Sequence, residues 1–396
     1  MKRRLLTHEV RHDVSPGRLR RAASIVCYWR DGKLIFENYR THVLISADPI
    51  VVSLLNCFNE WRTAAQACSL SSEFTPSSVD STLRQLTRRG FLVPEGSVAA
   101  RADARFLESW SPWLPAGGLL HFSTKDLPFV SDLGESRRAL LNRARCEPSP
   151  PAVKQYRRAA RVQLPNPNTK GEFPQVLLAR RTWRRFSGLR MDLEDLGTLL
   201  WLTCGVQYWV KLPGSIGRVA LKTSPSAGAR HPLEAYVAVL RVRGLPRGLY
   251  HYSPDTHSLE LLRTGCSSRQ FGSYLAGQSW YGSSSVLMFM SAVFERNRWK
   301  YPDPAAYRTV ILDAGHMCQT FCLTATWLGL APFCTMALAE SKVEKALCLD
   351  GISESVVYAA GVGTRPSRDW APWPGPGIYL TKTRNFPVGK SPGGLR

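Results

Sequence analysis

One segment, from about residue 305 to residue 329, constrains the fold of this chain more than any other. Its apolar side chains recur at helical spacing for about 25 residues, which predicts one long amphipathic helix. A strand-like run, SSVLMFMSAVF, precedes it, and a second, APFCTMA, follows it. We expect His316 to be a satisfied core histidine. The predicted core stripe of the helix consists of Leu312, Met317, Phe321, Leu323 and Leu328.

The region around this helix alternates between helical and strand patterns. DLEDLGTLLWLTCGV predicts a helix capped by Asp192, and LEAYVAVLRV, GLYHY, LELL and VVYAAGVG are rich in β-branched and aromatic residues, as strands are. SKVEKALCL predicts a further short helix. The strands do not alternate regularly with helices, so the pattern indicates an α+β architecture rather than βαβ winding.

Composition along the chain divides it into four segments. Residues 1–95 predict a compact winged-helix-like module, residues 96–170 a Pro/Arg-rich linker with one short helix near 135–144, and residues 171–370 the large domain. The remaining residues, 371–396, form a Pro/Gly-rich tail. The sequence therefore predicts two folded domains.

The order of strand and helix patterns in residues 1–95 predicts the winged-helix-like module. Two short strand-like stretches in KLIFENYRTHVLIS come before the helical pattern DPIVVSLLNCFNEW. In SSVDSTLRQLTRRGFLV a helix runs into a strand, with Ser78 as the expected N-cap and Gly90 as the residue that ends the helix.

Cysteine content and hydropathy restrict the environment and the metal chemistry. No apolar run reaches the roughly 18 residues of a membrane span, and the basic N-terminus lacks the apolar core of a signal peptide, so we expect a cytoplasmic protein without membrane contact. The ten cysteines include no C-x-x-C pair. Cys318 and Cys322 lie four apart on one helix face and could ligate a metal, but no second pair matches them. We therefore expect free thiols and no metal.

The net charge of +22 indicates an anionic partner: nucleic acid, an acidic membrane surface or an acidic peptide. Residues 1–42 carry ten Lys or Arg against four Asp or Glu. A basic surface that serves only solubility explains the charge equally well.

Three stretches carry residues suited to an anionic, planar ligand. LLARRTWRRFSG holds four arginines, whose guanidinium groups fit phosphate and carbonyl oxygens. KTSPSAGARHPLEAYV leads a turn of small residues into a strand, so that backbone N–H groups can approach a planar ligand closely. In that turn His231 is equally a ligand contact or a loop histidine. GVGTRPSRDW ends a buried strand with Arg365 and Arg368, which are well placed to meet an anion.

Together with WKYPDPAAYRTVILDAGHMCQTFCLTATWLGL, and in this order and spacing, these stretches resemble the nitroreductase superfamily, which binds FMN. They are most similar to the SagB-type dehydrogenases, the azoline oxidases of peptide natural-product pathways. The resemblance covers about residues 171–366. It implies a nitroreductase-like α+β fold, in which a mixed sheet is flanked by helices, and a homodimer with FMN at the subunit interface.

The resemblance also implies a set of cofactor contacts. A phosphate clamp would be completed by Arg365 and Arg368. Many members of the family have Asn at the position of Ala229. The residues implied to contact FMN are Arg180, Arg181, Thr182, Arg184, Pro225, Ser226, Ala227, Ala229, Cys334, Thr335, Arg365 and Arg368.

In the azoline oxidases a Lys-Tyr pair supplies the acid/base chemistry, and Lys300 and Tyr301 match it. Aromatising an azoline removes a hydride and a proton, and the proton needs a base. An unperturbed Lys has a pKa of about 10.4, too high for a base at neutral pH. We expect burial beside Arg296 and Arg298 to favour the neutral amine. Either residue of the pair could be the base.

The resemblance thus implies an FMN-dependent oxidase that converts thiazolines or oxazolines to azoles in a modified precursor peptide, with O₂ as the electron acceptor. A cyclodehydratase would be its partner, and residues 1–95 would dock that enzyme or an acidic leader peptide. Two alternatives stay open. One is another flavin-dependent desaturation of a peptide or carrier-bound intermediate. The other is a DNA-binding winged-helix redox sensor, although residues 1–94 contain no helix dense in base-reading Arg, Asn and Gln, and we expect no specific nucleic acid.

Overall fold

The computed structural model describes residues 17–70, 76–154, 163–213 and 217–366. The chain divides into two compact units, residues 1–124 and residues 125–396. Arg368, the C-terminal tail and most of the basic N-terminal stretch lie outside the described residues. No helix in the described part of the chain is both long and apolar enough to span a bilayer.

The N-terminal unit combines a three-stranded meander with helices and a separate two-stranded ribbon. In the meander, order β2-β3-β4, a two-residue turn of Asp31 and Gly32 at positive φ joins the first two strands, as hairpin geometry requires. The strand after α3 pairs antiparallel with β1. The elements are β1 Leu19–Arg21, β2 Ile25–Arg30, β3 Lys33–Asn38, β4 Val43–Ser46, α1 Ile50–Asn56, α2 Ala64–Cys68, α3 Pro76–Arg88, β5 Leu92–Pro94, α4 Val98–Trp110 and α5 Ala116–Ser123.

Two expectations for this unit need correction. Helix α3 begins at Pro76, so Ser78 lies inside it rather than at its N-cap, whereas Gly90 follows its end in the left-handed region (φ +75°) as expected. The predicted linker does not begin at residue 96. Helices α4 and α5 follow there, and they bury Trp110, Trp113 and Phe122. These large aromatic side chains have a core to fill, which a solvated linker lacks.

The second unit is built on a six-stranded sheet in the order β10-β9-β8-β11-β13-β12. Neighbouring strands run antiparallel, and an isolated parallel bridge joins Met191 to Val242 just beyond β8. Helix α11 packs against α8, β12 and β13. The elements are α6 Leu133–Cys146, α7 Glu172–Ala179, α8 Leu193–Cys204, β6 Tyr208–Lys211, β7 Arg218–Leu221, β8 Leu233–Val239, β9 Gly248–Ser253, β10 Ser258–Thr264, α9 Ser268–Tyr274, β11 Val286–Val293, α10 Phe294–Arg298, α11 Tyr307–Trp327, β12 Ala331–Thr335, α12 Glu340–Leu347 and β13 Glu354–Gly363.

The long helix forms where the sequence predicted it, but its faces differ from the prediction. Met317 and Phe321 are buried, whereas Leu312 is 59% exposed and His316 lies on the exposed side, so neither is a core residue. Leu323 and Leu328 are half-buried. At about 100° per residue, Leu312 and Met317 point about 140° apart, so the predicted stripe had merged two faces of the helix.

The start of α8 also departs from expectation in one respect. Asp192 occupies the N-cap position, but its side chain makes no cap hydrogen bond. Both of its carboxylate oxygens instead accept hydrogen bonds from Arg243, at 2.5 and 2.6 Å. The pair with Arg243 replaces the expected cap, because two charge-assisted hydrogen bonds from one guanidinium are stronger than a single bond from a backbone N–H.

Candidate active site

Lys300 and Tyr301 lie in the short connection between α10 and α11. The backbone N–H groups of both residues donate to Asn297 O, at 3.1 and 2.9 Å. Asp303 then caps a 3₁₀ turn by accepting from Ala305 N at 2.8 Å. Two prolines, Pro302 and Pro304, keep this segment out of the helix, so the pair is held at its mouth.

The small-residue loop is strained and anchored at several points. Gly228, Ala229 and His231 all have positive φ, at +60°, +54° and +43°. Left-handed backbone at non-glycine residues persists only where the surroundings enforce it, and it is a feature of ligand sites. Asn tolerates this conformation better than Ala, which is a physical reason for an Asn at the position of Ala229 in relatives.

Asp313 on α11 is the main anchor of that loop. Its carboxylate accepts from Ser226 Oγ at 2.6 Å, and the Ala227 N–H also hydrogen-bonds to it. Ser226 Oγ in turn accepts from His231 N at 2.9 Å. Burial raises the pKa of Asp313 more than these hydrogen bonds lower it. A buried carboxylate with several donors therefore fixes the loop to the long helix.

The Lys-Tyr pair and the loop meet at Gly228. A Cβ added to Gly228 would lie 2.5 Å from Lys300 Nζ and 2.5 Å from Tyr301 Oη, so any larger residue would have to displace both side chains. Lys300 Nζ is 5.5 Å from the centroid of the Tyr301 ring. The two titratable groups thus converge on the backbone expected to line a planar ligand.

The surroundings of Lys300 differ from the expectation. The side chain is exposed rather than buried, and Arg296 is occupied elsewhere. Arg296 Nη2 pairs with Glu234 Oε1 at 2.5 Å, while its Nη1 donates to His231 O at 3.0 Å. Arg296 therefore ties the start of the Lys-Tyr segment to strand β8 and to the loop.

A histidine completes this network on the sheet. His251 lies between Glu234 and Glu260, with ring nitrogens 3.0 and 2.7 Å from their carboxylates. The hydrogen bond to Glu234, with that to Glu260, raises the pKa of His251 to about 9. The imidazolium and Arg296 together balance the charge of the half-buried Glu234.

The arginine motif is held beside the ends of β12 and β13. Trp183 N donates to Pro332 O at 2.9 Å, and Ser187 N donates to Thr364 O at 3.0 Å. The Arg365 guanidinium lies 5.6 Å from the Trp183 ring centroid. Long-range backbone bonds therefore bring the first and last predicted contact segments together.

Several predicted contacts have partners within the chain. Arg365 donates to Leu330 O and Thr326 O, at 2.9 and 3.1 Å, and so caps the C-terminal end of α11. Arg181 donates to Leu178 O and to Arg180 O at the end of α7. Thr335 Oγ1 lies 3.4 Å from Gln278 Oε1.

The remaining predicted contacts belong either to the anchored loop of small residues or to the arginine motif near β12. Arg180 lies close enough to Cys322 and Cys334, and Arg184 close enough to Tyr281, for the arginine charge to act on these groups. Pro225 and Ala227 lie in the anchored loop, and Thr182 lies in the arginine motif.

The two groups lie at opposite ends of α11. Asp313 and Thr326 are 13 residues apart, which is about 20 Å along an α-helix. The loop and the Lys-Tyr pair belong to one end, and the arginine motif with Arg365 belongs to the other. The end with the arginine motif is positively charged and suits a phosphate. The end with the small-residue loop suits a planar ring, so the residue types at the two ends fit the two parts of FMN.

Sequence reasoning missed Asp313, and it expected Arg296 to act on Lys300 rather than to pair with Glu234. Asp313 had a visible signal, because an acid in the run VILDAGHM interrupts an otherwise apolar helix. The contact of Gly228 with a segment about 70 residues away leaves no local signal.

Comparison with known proteins identifies a family for part of the chain. Residues 177–364 match the profile described as Nitroreductase family. The trifolitoxin-processing protein TfxB of Rhizobium leguminosarum bv. trifolii is 35% identical over 142 residues, which are 35% of this chain and 38% of TfxB. The trifolitoxin operon protein TfxC of the same organism is 22% identical over 293 residues, 71% of this chain and 80% of TfxC.

Among solved structures, the E. coli microcin synthetase McbBCD complex with truncated pro-MccB17 bound gives a TM-score of 0.47 at 19% identity. That similarity covers 69% of this chain and 99% of the other. The match to TfxB spans less than half of the length of TfxB.

Proposed function

We propose, from the premise that residues 177–364 form a nitroreductase-family domain with FMN as its cofactor, that this protein oxidises azoline rings to azoles in a modified precursor peptide. The observation that carries the proposal is the convergence of Lys300 Nζ and Tyr301 Oη on Gly228. An azoline oxidase needs a proton acceptor at the cofactor, and this contact puts two candidates against the loop expected to line it.

The residues of the chain divide the reaction between them. A thiazoline or oxazoline becomes an azole by losing one hydride and one proton from adjacent ring atoms. Bound FMN supplies the hydride acceptor, and O₂ takes up the electrons afterwards. One residue of the pair, Lys300 Nζ or Tyr301 Oη, accepts the ring proton, and the other orients the ring or passes that proton on. Because Lys300 is exposed, it can reach a ring carried on a large peptide.

Besides the putative nitroreductase MJ1384 of Methanocaldococcus jannaschii, 28% identical over 186 residues, the chain is similar to two relatives that support a maturation enzyme. One is named for processing trifolitoxin and another for the trifolitoxin operon. The match to TfxC covers 71% of this chain, which is more than the nitroreductase-family domain alone. A substrate that needs extra docking surface fits this pattern, since a precursor peptide is far larger than a nitroaromatic.

A homodimer is part of the proposal. The loop with the Lys-Tyr pair and the arginine motif lie about 20 Å apart along α11, so a second copy can bring one group to the other. The exposed face of α11 carries Leu312, 59% exposed, and Trp327, 48% exposed. Light scattering should give a dimer that Leu312→Glu dissociates with loss of flavin, and a monomer that retains full flavin would contradict this part.

The N-terminal unit would dock the leader peptide or a cyclodehydratase. Strand β2 is an edge of its three-stranded sheet and carries Trp29, which is 68% exposed, and Arg30. An acidic leader can add to this edge as a further strand. Trp29→Glu should raise KM for the full-length peptide with little change in kcat. An equal KM for both proteins would refute the docking role.

The test of the activity itself uses a peptide that carries one azoline. Wild-type enzyme should remove two hydrogens per ring, measured by mass. Lys300→Ala should turn over about 100- to 10,000-fold more slowly, the usual range for loss of a positioned base. Tyr301→Phe should lower the turnover rate by the same factor only if the phenol relays the proton. Lys342→Ala, which removes an exposed lysine from α12, is the control. A Lys300→Ala enzyme with full flavin and wild-type rate would show that the pair is structural.

A further inference from the structure

Three cysteine thiols meet beside the candidate active site. Cys318 and Cys322 lie one turn apart on α11, and Cys334 lies on β12. Their Sγ atoms are all within 4.8 Å of one another. Cys318 and Cys322 are buried, and Cys334 is half-buried. The sequence suggested only the helical pair as ligands; β12 supplies the third thiol across the helix–sheet interface.

Two further side chains lie beside the trio: the Tyr358 phenol, which hydrogen-bonds to Cys334, and the Arg180 guanidinium. Tyr358 lies on β13, two residues from Ala360, the residue paired with Cys334. A hydrogen-bond donor and a cation are therefore already close to the three sulfur atoms.

We propose that Cys318, Cys322 and Cys334 form a trithiolate site for one thiophilic metal ion, Zn²⁺ or Cu⁺. Zinc–sulfur bonds of about 2.3 Å hold tetrahedral ligands about 3.8 Å apart, a spacing that thiols within 4.8 Å reach with small side-chain shifts. Soft thiolates select these ions over Mg²⁺ or Ca²⁺. Binding replaces the remaining thiol protons, which leave to solvent, and involves no change of oxidation state.

The number of ligands separates the two ions. Among the described residues the cluster contains three sulfur ligands, one fewer than a closed structural zinc site. A three-coordinate Cu⁺ is complete with this set, whereas Zn²⁺ would keep a fourth position for water. The same protein titrated with each ion, under anaerobic conditions, tells them apart.

The experiment uses the full chain with its flavin, reduced and freed of metal. Zn²⁺ and Cu⁺ are added separately, and bound metal is measured by mass spectrometry after desalting. We expect one equivalent of at least one ion and the loss of three titratable thiols on binding. Co²⁺ should give an intense sulfur-to-metal charge-transfer band, a signature that needs no variant. Cys318→Ala, Cys322→Ala and Cys334→Ala should each weaken binding by about 100-fold or more, beyond the loss of an outer-sphere partner.

Cys204→Ala is the matched control, because Cys204 is a buried free cysteine on α8 outside the trio. It should bind metal like the wild type. Less than 0.2 equivalents of either ion in the wild type, or equal affinity in all four variants, would overturn the proposal. So would a disulfide between two of these three cysteines, located by mass spectrometry of proteolytic peptides from the metal-free protein. Metal content is read independently of turnover, so failure of the azoline assay leaves this test intact.

Discussion

Gly228→Ala is the substitution that most directly tests the candidate site. The added Cβ would lie 2.5 Å from both Lys300 Nζ and Tyr301 Oη. Ordinary heavy-atom contacts begin near about 3.5 Å, so each group must retreat by about 1 Å. Both atoms are the ends of side chains, which can move without disturbing the core. The substitution should therefore displace the pair while leaving the fold in place.

The expected magnitudes follow from this geometry. A misplacement of about 1 Å at a reacting group costs about 100-fold in rate, so we expect turnover of an azoline peptide to fall by that factor. Alanine in the left-handed region, at φ +60°, adds a cost of about 1 kcal/mol to folding. For a unit of this size that lowers Tm by about 3 °C.

A second glycine, Gly244, separates the effect of backbone strain from the effect of displacing Lys300 and Tyr301. Gly244 has a similar φ of +71°, and a Cβ added there would meet nothing within 4 Å. Gly244→Ala should lower Tm by the same few degrees and leave the rate unchanged. Rates are normalised to bound flavin, measured by absorbance. If Gly228→Ala and Gly244→Ala proved equally active, the contact at Gly228 would have no part in catalysis.

Three further predictions follow from the same network. Asp313→Ala removes the carboxylate that accepts from Ser226 Oγ and from the Ala227 N–H, so it should lower the free energy of unfolding by about 2 kcal/mol and release flavin on gel filtration. The control Asp303→Ala, at an exposed aspartate, should release none. An Asp313→Ala protein that retained its flavin would refute the role of Asp313 as the anchor of the loop. His251 has its pKa raised to about 9, so the stability it supplies is full below about pH 6.5 and is lost as pH rises through 9. Urea unfolding at pH 6 and pH 10 should show a loss of up to about 3 kcal/mol that His251→Gln lacks; identical pH dependence in the two proteins would exclude this role. Arg365→Ala removes the two hydrogen bonds to the C-terminal carbonyls of α11 and should lower the free energy of unfolding, measured by calorimetry, by about 2 kcal/mol. Equal stability of the variant and the wild type would show that Arg365 does not cap the helix.

The sequence alone determined the elements whose signals are local. The long helix, the strands of the central sheet and α12 follow from periodicity and β-propensity, and the positions of their ends agree closely with the structure. The four stretches in register identified the family of residues 177–364, and the profile match confirms that family. These features survive in sequence because hydrogen bonding and side-chain spacing within one element set them.

Local sequence signals did not predict side-chain contacts or burial that depend on residues distant in the sequence. Asp192 has the right position for a cap, yet the sequence could not reveal that Arg243 would take its carboxylate. Leu312 is as apolar as any core residue, but its direction on the helix exposes it. The region after residue 96 seemed too rich in Pro and Arg to fold, although its tryptophans are buried. Burial depends on what packs against a residue, which spacing along the chain does not record.

Tertiary structure alone decided the composition of the site. Gly228 meets Lys300 and Tyr301 across about 70 residues, and Cys334 joins Cys318 and Cys322 from a neighbouring strand. Asp313 contacts Ser226 because α11 passes beneath the loop. In each case the chemistry of the single residue was legible in the sequence. Its partners were fixed only when the sheet and the long helix packed together, because contact between distant segments is a property of the fold as a whole.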